Sequence, residues 1–189
     1  MKPSVTICFA AIFLMTLIMN LIPSSVQAHT DNSEGKSKIT AEAGVLHYEL
    51  SVDVLELGRI VDLGNLPEMQ KDELSDALHS NQTLIEDYLS TNLEIFADEM
   101  KTSGEVSNIG IEQQGEMNYA RIRIDFPISE LSTKALEVRY NIFFDDNDRL
   151  HRNIVHYEIG DKSGECILTS TERTFHLDKG TLFGQVKSF

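Results

Sequence analysis

There is no tryptophan in this chain, and its 189 residues include only two cysteines, four prolines and eleven glycines. Cys8 falls inside an apolar N-terminal segment, in the context Val5-Thr6-Ile7-Cys8, too early and in the wrong surroundings for a lipid-modified cysteine. Cys166 is therefore alone in the remainder, which excludes an internal disulfide there and leaves burial of apolar surface to hold the domain together. Cations are scarce as well: 16 Lys and Arg against 30 Asp and Glu give a formal charge of −14. Such an acidic surface argues against nucleic acid and against docking on anionic lipid. Common catalytic signatures are missing too. The sequence has no Gly-x-Ser-x-Gly, no His-Glu-x-x-His, no glycine-rich phosphate loop, no base beside Cys166 and no internal repeat.

What is present begins with an export signature. Lys2, an apolar run over 5–22, Pro23 and the small-residue pattern Val26-Gln27-Ala28 read as a secretory signal peptide over residues 1–28, cleaved after Ala28. A retained membrane anchor is the competing reading, because eighteen residues nearly span a bilayer. Cleavage removes the segment's one charge, Lys2, taking −14 to −15, and leaves 189 − 28 = 161 residues, enough for one compact domain. The chain is thus expected to be secreted or extracytoplasmic. The sequon Asn81-Gln82-Thr83 would matter only in a eukaryotic secretory pathway.

Residues 29–40, opening "HTDNSEGKSK", are polar without periodicity and read as a flexible leader. A folded domain is expected over 41–179. It opens with a half-buried strand, in which Leu46, Tyr48, Leu50 and Val52 alternate with polar residues, and the phase slip at Val54-Leu55 suggests a bulge. A helical insertion at about 66–92 follows: Pro67 is a good first helical residue, with Met69, Leu74, Ala77 and Leu78 at helical spacing, and Leu84, Ile85, Tyr88 and Leu89 continue in a second piece. Leu93, Ile95 and Ala97 favour a strand over a longer helix. Beyond Thr102-Ser103-Gly104, strands are read around Val106–Ile111, 120–126, 136–144, 155–159 and a threonine-rich run over 166–177. This predicts a mainly β fold, an antiparallel β-sandwich (Ig-like) with a helical insertion after the first strand, with α+β as the alternative. The tail 180–189 places Leu182, Phe183, Val186 and Phe189 on one helical face, a stripe that needs a partner surface.

Candidate chemistry is thin. If cleavage follows Ala28, the α-amine and imidazole of His29 together suit one copper or nickel ion. His47 and His156 lie on outward strand faces and could meet only if those strands are neighbours; His79, near a helix end, favours the helix dipole without further function. His176 has no distinguishing context. Paired carboxylates are plentiful, but in so acidic a chain they read as solvated surface rather than a hydrolytic dyad. The segment "NIFFDDNDRLHR" gathers Asp145, Asp146, Asp148, His151 and Arg152. Calcium is one reading, although the loop lacks the glycine and distal glutamate of the usual twelve-residue site and Arg149 adds a positive charge. An acidic hairpin between strands ending at Phe144 and starting near Asn153, with Asp145 bonded to backbone or to Arg152, is the simpler one.

The run "LEVRYNIFFDDNDRLHRNIV", a threonine-rich strand and "LFGQVKSF" resemble the extracytoplasmic N-terminal domain of HupE/UreJ-type membrane proteins. Matching positions are Ala28-His29, Tyr88-Leu89, Tyr140, Phe144, Asp145, His151 and Arg152. In that family a bundle of membrane helices follows a short amphipathic lead-in. No further apolar span follows here, so a transport activity is not expected of this chain. Some relatives carry an Asp-x-Asp-Gly-Asp-Gly stretch before the helix; "VDLGNLPEMQKDEL" departs from it, which weakens the calcium reading. The resemblance implies a non-enzymatic, membrane-associated domain acting through a membrane-protein or other protein partner, or as an accessory to nickel handling. The alternative is a soluble copper or nickel carrier using His29, and an extracytoplasmic hydrolase ranks below both.

Overall fold

The polar stretch read as a leader holds the first described strand. In the computed structural model, which describes residues 33–128, 135–146 and 148–178, Glu34–Glu42 is strand β1 rather than part of a flexible leader reaching residue 40. Its alternation is intact but written in small and polar residues. Gly35, Ser37 and Ile39 are buried while Lys36 and Lys38 face solvent, a pattern that hydrophobic periodicity does not register. Gly35 must be small because side chains lie over it: a Cβ there would stand 3.2 Å from Asn153 Oδ1 and 3.3 Å from the His151 ring. Ser37 is satisfied by the buried Asn153 amide, which also donates to the Tyr48 hydroxyl.

Strand β2, Val45–Asp53, follows across the two-residue turn Ala43-Gly44, whose positive φ angles of 51° and 81° suit a tight hairpin with right-handed strand twist. Leu46, Tyr48, Leu50 and Val52 are buried, as their alternation predicts. The phase slip at Val54-Leu55 is a helix start and not a bulge. Asp53 accepts the Leu55 N–H at 2.8 Å and caps α1, Val54–Ile60, which buries Val54 and Leu57. A 3₁₀ turn, Leu66–Glu68, takes up Pro67, so α2 runs only over Lys71–Ser80, with the Glu73 carboxylate accepting the Gln70 N–H at its start. Asn81 donates its side-chain amide to the Ala77 carbonyl and separates α2 from α3, Gln82–Asn92.

The remaining strands are β3 (Leu93–Ala97), β4 (Met100–Thr102), β5 (Glu105–Gln114), β6 (Met117–Pro127), β7 (Ala135–Tyr140), β8 (Arg152–Ile159), β9 (Lys162–Thr169) and β10 (Thr174–Asp178). They form two sheets in the orders β5-β6-β2-β1-β8-β9 and β10-β7-β3-β4. Every pairing is antiparallel except that of β1 with β8. The threonine-rich run read as one strand is two, one in each sheet. Leu46, Leu50, Ile122 and Val155 of the larger sheet, Ile95, Val138 and Phe175 of the smaller, and Leu78 and Ile85 of α2 and α3 belong to one apolar core. The architecture is mainly β, a sandwich of two antiparallel-rich sheets with helices inserted between β2 and β3. None of the described helices is long and apolar enough to cross a membrane. The expected signal peptide at 1–28 and the tail at 180–189 lie outside the described residues.

Since Ile39 is fully buried, Ile39→Ala is expected to cost about 3 kcal/mol in urea unfolding. Lys38→Ala, on the solvent face of the same strand, should cost less than about 0.5 kcal/mol. Equal, negligible effects would show that β1 is not part of the core.

Candidate functional site

The strongest concentration of polar chemistry is the segment between β7 and β8. It is not a hairpin tip, because β7 belongs to the smaller sheet and β8 to the larger one. The expected strand over 136–144 stops at Tyr140, and Ile142, Phe143 and Phe144 turn inward, all three buried. Phe143 adopts φ +68°, a conformation uncommon for a bulky side chain. Two bonds hold it there: its N–H donates to the Tyr88 hydroxyl of α3 at 2.9 Å, and its carbonyl accepts the Asp148 N–H at 2.8 Å.

Behind this turn lies His151, 1 % exposed. Ser33 Oγ stands 2.6 Å from its Nδ1, and the Tyr140 hydroxyl 2.9 Å from its Nε2. Each nitrogen thus has one partner, which satisfies a neutral imidazole completely, one nitrogen donating and the other accepting. Phe143 meets the ring edge-on at 5.1 Å between centroids, Tyr140 stacks at 5.9 Å and Phe144 lies at 5.6 Å. Burial drives the His151 pKa down to about 4, against the pull of nearby Asp148 and Glu34. Burial also lifts the Tyr140 phenol well above its ordinary value.

The carboxylates around this histidine do not converge. Burial alone would raise Asp148, but its oxygens accept the Leu150 N–H at 2.8 Å and the Ser33 N–H at 3.1 Å, and its acidity ends below the usual carboxylate range. Asp145 binds Arg173, not Arg152, with both oxygens held at 2.6 and 2.8 Å, and is held below its ordinary value mainly by that bond. Arg152 instead grips Glu34 at 2.7 and 3.0 Å. Asp146 faces an open hollow of about 460 Å³ that also takes in Tyr88, Asn92 and Arg59. Of the three carboxylates proposed for calcium, Asp145 and Asp148 have their oxygens engaged elsewhere in the protein, and Asp146 bonds the Tyr88 hydroxyl. Among the described residues no group of three or more His, Cys, Asp and Glu side chains is placed to hold a metal. His29 lies outside the described residues.

The other histidines are separate. His47 pairs with Asp125 at 2.7 Å, His156 with Glu165 at 3.2 Å and His176 with Glu137 at 3.4 Å, while His79 bonds the Ser75 carbonyl. His47 and His156 do not neighbour one another, because β1 runs between their strands. The Cys166 thiol is buried and pushed up to about 12, far from the reactive thiolate range.

Ser33, Glu34 and Arg173, which complete the site, carry no signal in the sequence; Ser33 lies 118 positions from His151. A serine beside a histidine is the geometry of a nucleophile and its base. The basicity is lacking, since this imidazole is a weak base and its far nitrogen meets a phenol rather than a carboxylate. The arrangement can lock a loop far better than it can abstract a proton. Compared with known proteins, the chain matches no family model, and no curated protein matches it.

A histidine whose folded pKa is depressed favours folding when neutral. Its stabilising effect is full above the unfolded pKa near 6.5 and falls as pH drops toward 4, by about 3 kcal/mol. His151→Gln, with no titrating ring, should be less stable at pH 7 and lose that extra acid sensitivity. Guanidinium unfolding at pH 7, 5.5 and 4 checks it; parallel pH profiles for the two proteins would refute a buried neutral imidazole.

Proposed function

We propose that this chain is a non-enzymatic extracytoplasmic domain that works through contact with another protein, as the outer module of a HupE/UreJ-type membrane protein would. One observation supports the reading. Tyr88, Tyr140, Phe144, Asp145, His151 and Arg152, the positions on which the resemblance chiefly rests, all serve a single brace: Tyr88, Tyr140, Phe144 and His151 in its buried part, and Asp145 and Arg152 through surface pairs with Arg173 and Glu34. The polar residues that would otherwise suggest chemistry are engaged in holding the loop. What remains to act is the acidic surface, and with it exposed apolar side chains such as Leu150 beside the brace, 63 % exposed. A part in nickel or copper handling would draw on His29 as the mature N-terminus.

The test is made in the native host with residues 1–30 intact. The chain is expected outside the cytoplasm with His29 as its first residue, and a photo-crosslinking residue at Leu150 is expected to yield an adduct with an integral membrane protein. Unprocessed chain inside the cell would overturn the location, and the lack of any adduct from Leu150, Leu84 and Met100 alike would overturn the contact. For the metal, unchanged nickel and copper affinity in processed His29→Ala, read by equilibrium dialysis, would remove His29 from the reading.

A further inference from the structure

Among the described residues, β5 is the longest strand edge that the fold leaves open. Of the other edge strands, β4 has three residues, and β9 and β10 are tied to one another by Lys162, which donates to the Asp178 carbonyl. β5 has ten, and among the described residues its backbone hydrogen-bonds to no strand or helix but β6. Natural sheets commonly guard such an edge with lysine or proline, and β5, EVSNIGIEQQ, has neither. A bulge at Ser107 interrupts its ladder, which leaves a regular edge of seven residues over 108–114. Along it Asn108, Gln113 and Gln114 are exposed, and Ile111, on the same face as the buried Ile109, is only partly covered.

Gly110 stands within that edge. Glycine inside a strand weakens it, and where it persists it marks a bulge, a bend or the close approach of another backbone. Every other glycine among the described residues has a reason within the chain, either a positive φ or a side chain within 3.2 Å of where its Cβ would be. Gly110 has neither, since no atom lies within 4 Å of that position. Its neighbour on β6 is Arg121, whose guanidinium bonds Glu49 through Nη2 alone and leaves its other N–H donors unused. Glu112, two residues along on the same face of β5, accepts only the neutral Gln114 amide, at 3.2 Å.

We infer that β5 pairs edge to edge with β5 of a second copy, antiparallel about Ile111, joining two six-stranded sheets into one of twelve. In this register Ile111 of each copy meets its mate, which covers the apolar side chain that one copy leaves partly exposed. Asn108 faces the partner's Gln114, amide to amide, and Gly110 faces the partner's Glu112. The partner's carboxylate thus crosses a position that has no side chain and meets Arg121, two strands and about 10 Å away, a gap that the two long side chains close together. The twofold axis makes this ion pair twice. Two chains of charge −14 can associate only where like charges are kept apart, and this register sets no carboxylate opposite another. The surface shares no residue with the brace, and the pairing does not depend on the contact with another protein proposed above.

The test is sedimentation equilibrium of the protein purified from its host, over a concentration series reaching about 1 mM. One strand pair is a small interface, so a reversible dimer of micromolar strength is expected. Gly110→Glu sets a carboxylate opposite the partner's Glu112, while within its own chain the new side chain enters open space beside Arg121, so the fold should persist and association should weaken at least about tenfold. Glu112→Lys, which brings a cation toward the partner's Arg121, should weaken it likewise. The double variant sets opposite charges face to face and should return to within about threefold of the parent. Amides over 108–114 should gain protection from hydrogen exchange as concentration rises. A protein that stays monomeric up to about 1 mM, a dimer indifferent to Gly110→Glu, or a double variant no tighter than the single ones would each overturn the pairing.

Discussion

A neutral imidazole joins the two sheets of this protein. His151 stands immediately before β8 of the larger sheet, Tyr140 ends β7 of the smaller one, and Ser33 precedes β1. Neutral, the ring donates at one nitrogen and accepts at the other, and so satisfies both hydroxyls at once. Its surroundings enforce that state through burial. The other ties of the loop extend from this point: Asn141 donates to the Asn92 carbonyl at the end of α3, Arg152 to the Ser33 carbonyl, and the Tyr140 N–H to Arg173 before β10. One eleven-residue connection, 141–151, thus fixes the ends of two sheets and a helix.

Magnitudes separate what stabilises this junction from what shapes it. Fully burying Phe143 and Phe144 contributes about 2 to 3 kcal/mol each, whereas a neutral hydrogen bond such as that of Ser33 with His151 contributes about 1 kcal/mol. The aromatic rings therefore carry most of the energy. The polar contacts select a single arrangement, because a displaced loop would bury an unpaired imidazole or phenol, each costing about 1 to 3 kcal/mol. The Arg173–Asp145 pair, on the exposed side, adds orientation more than stability.

Those elements whose burial is written in large apolar residues were legible in the sequence. β2, β6 and β3 follow the alternation of Leu46 to Val52, Ala120 to Phe126 and Leu93 to Ala97, and the helical pattern of Leu74, Leu78, Ile85 and Leu89 marks α2 and α3. β1 was not legible, because Gly35 and Ser37 are buried against polar neighbours contributed from beyond residue 150. The α1 start was masked by Val54 and Leu55, which suit a strand as well as a helix until the Asp53 cap decides. In the brace, residues with local spacing could be singled out. Their partners Ser33, Glu34 and Arg173 could not, since each bond is set by topology rather than by distance along the chain.

The parallel pairing of β1 with β8 has a kinetic consequence. β1 sits inside the larger sheet, flanked by β2 on one side and by residues 152–159 on the other. The hairpins β1–β2, β5–β6 and β8–β9 can close locally, but the sheet stays divided until a strand from the first quarter of the chain meets one from the last. Loop closure over more than a hundred residues precedes any gain from that contact, and folds dominated by such pairings are slow to form. During synthesis the N-terminal hairpin must therefore wait with one edge open until residues 152–159 have been made.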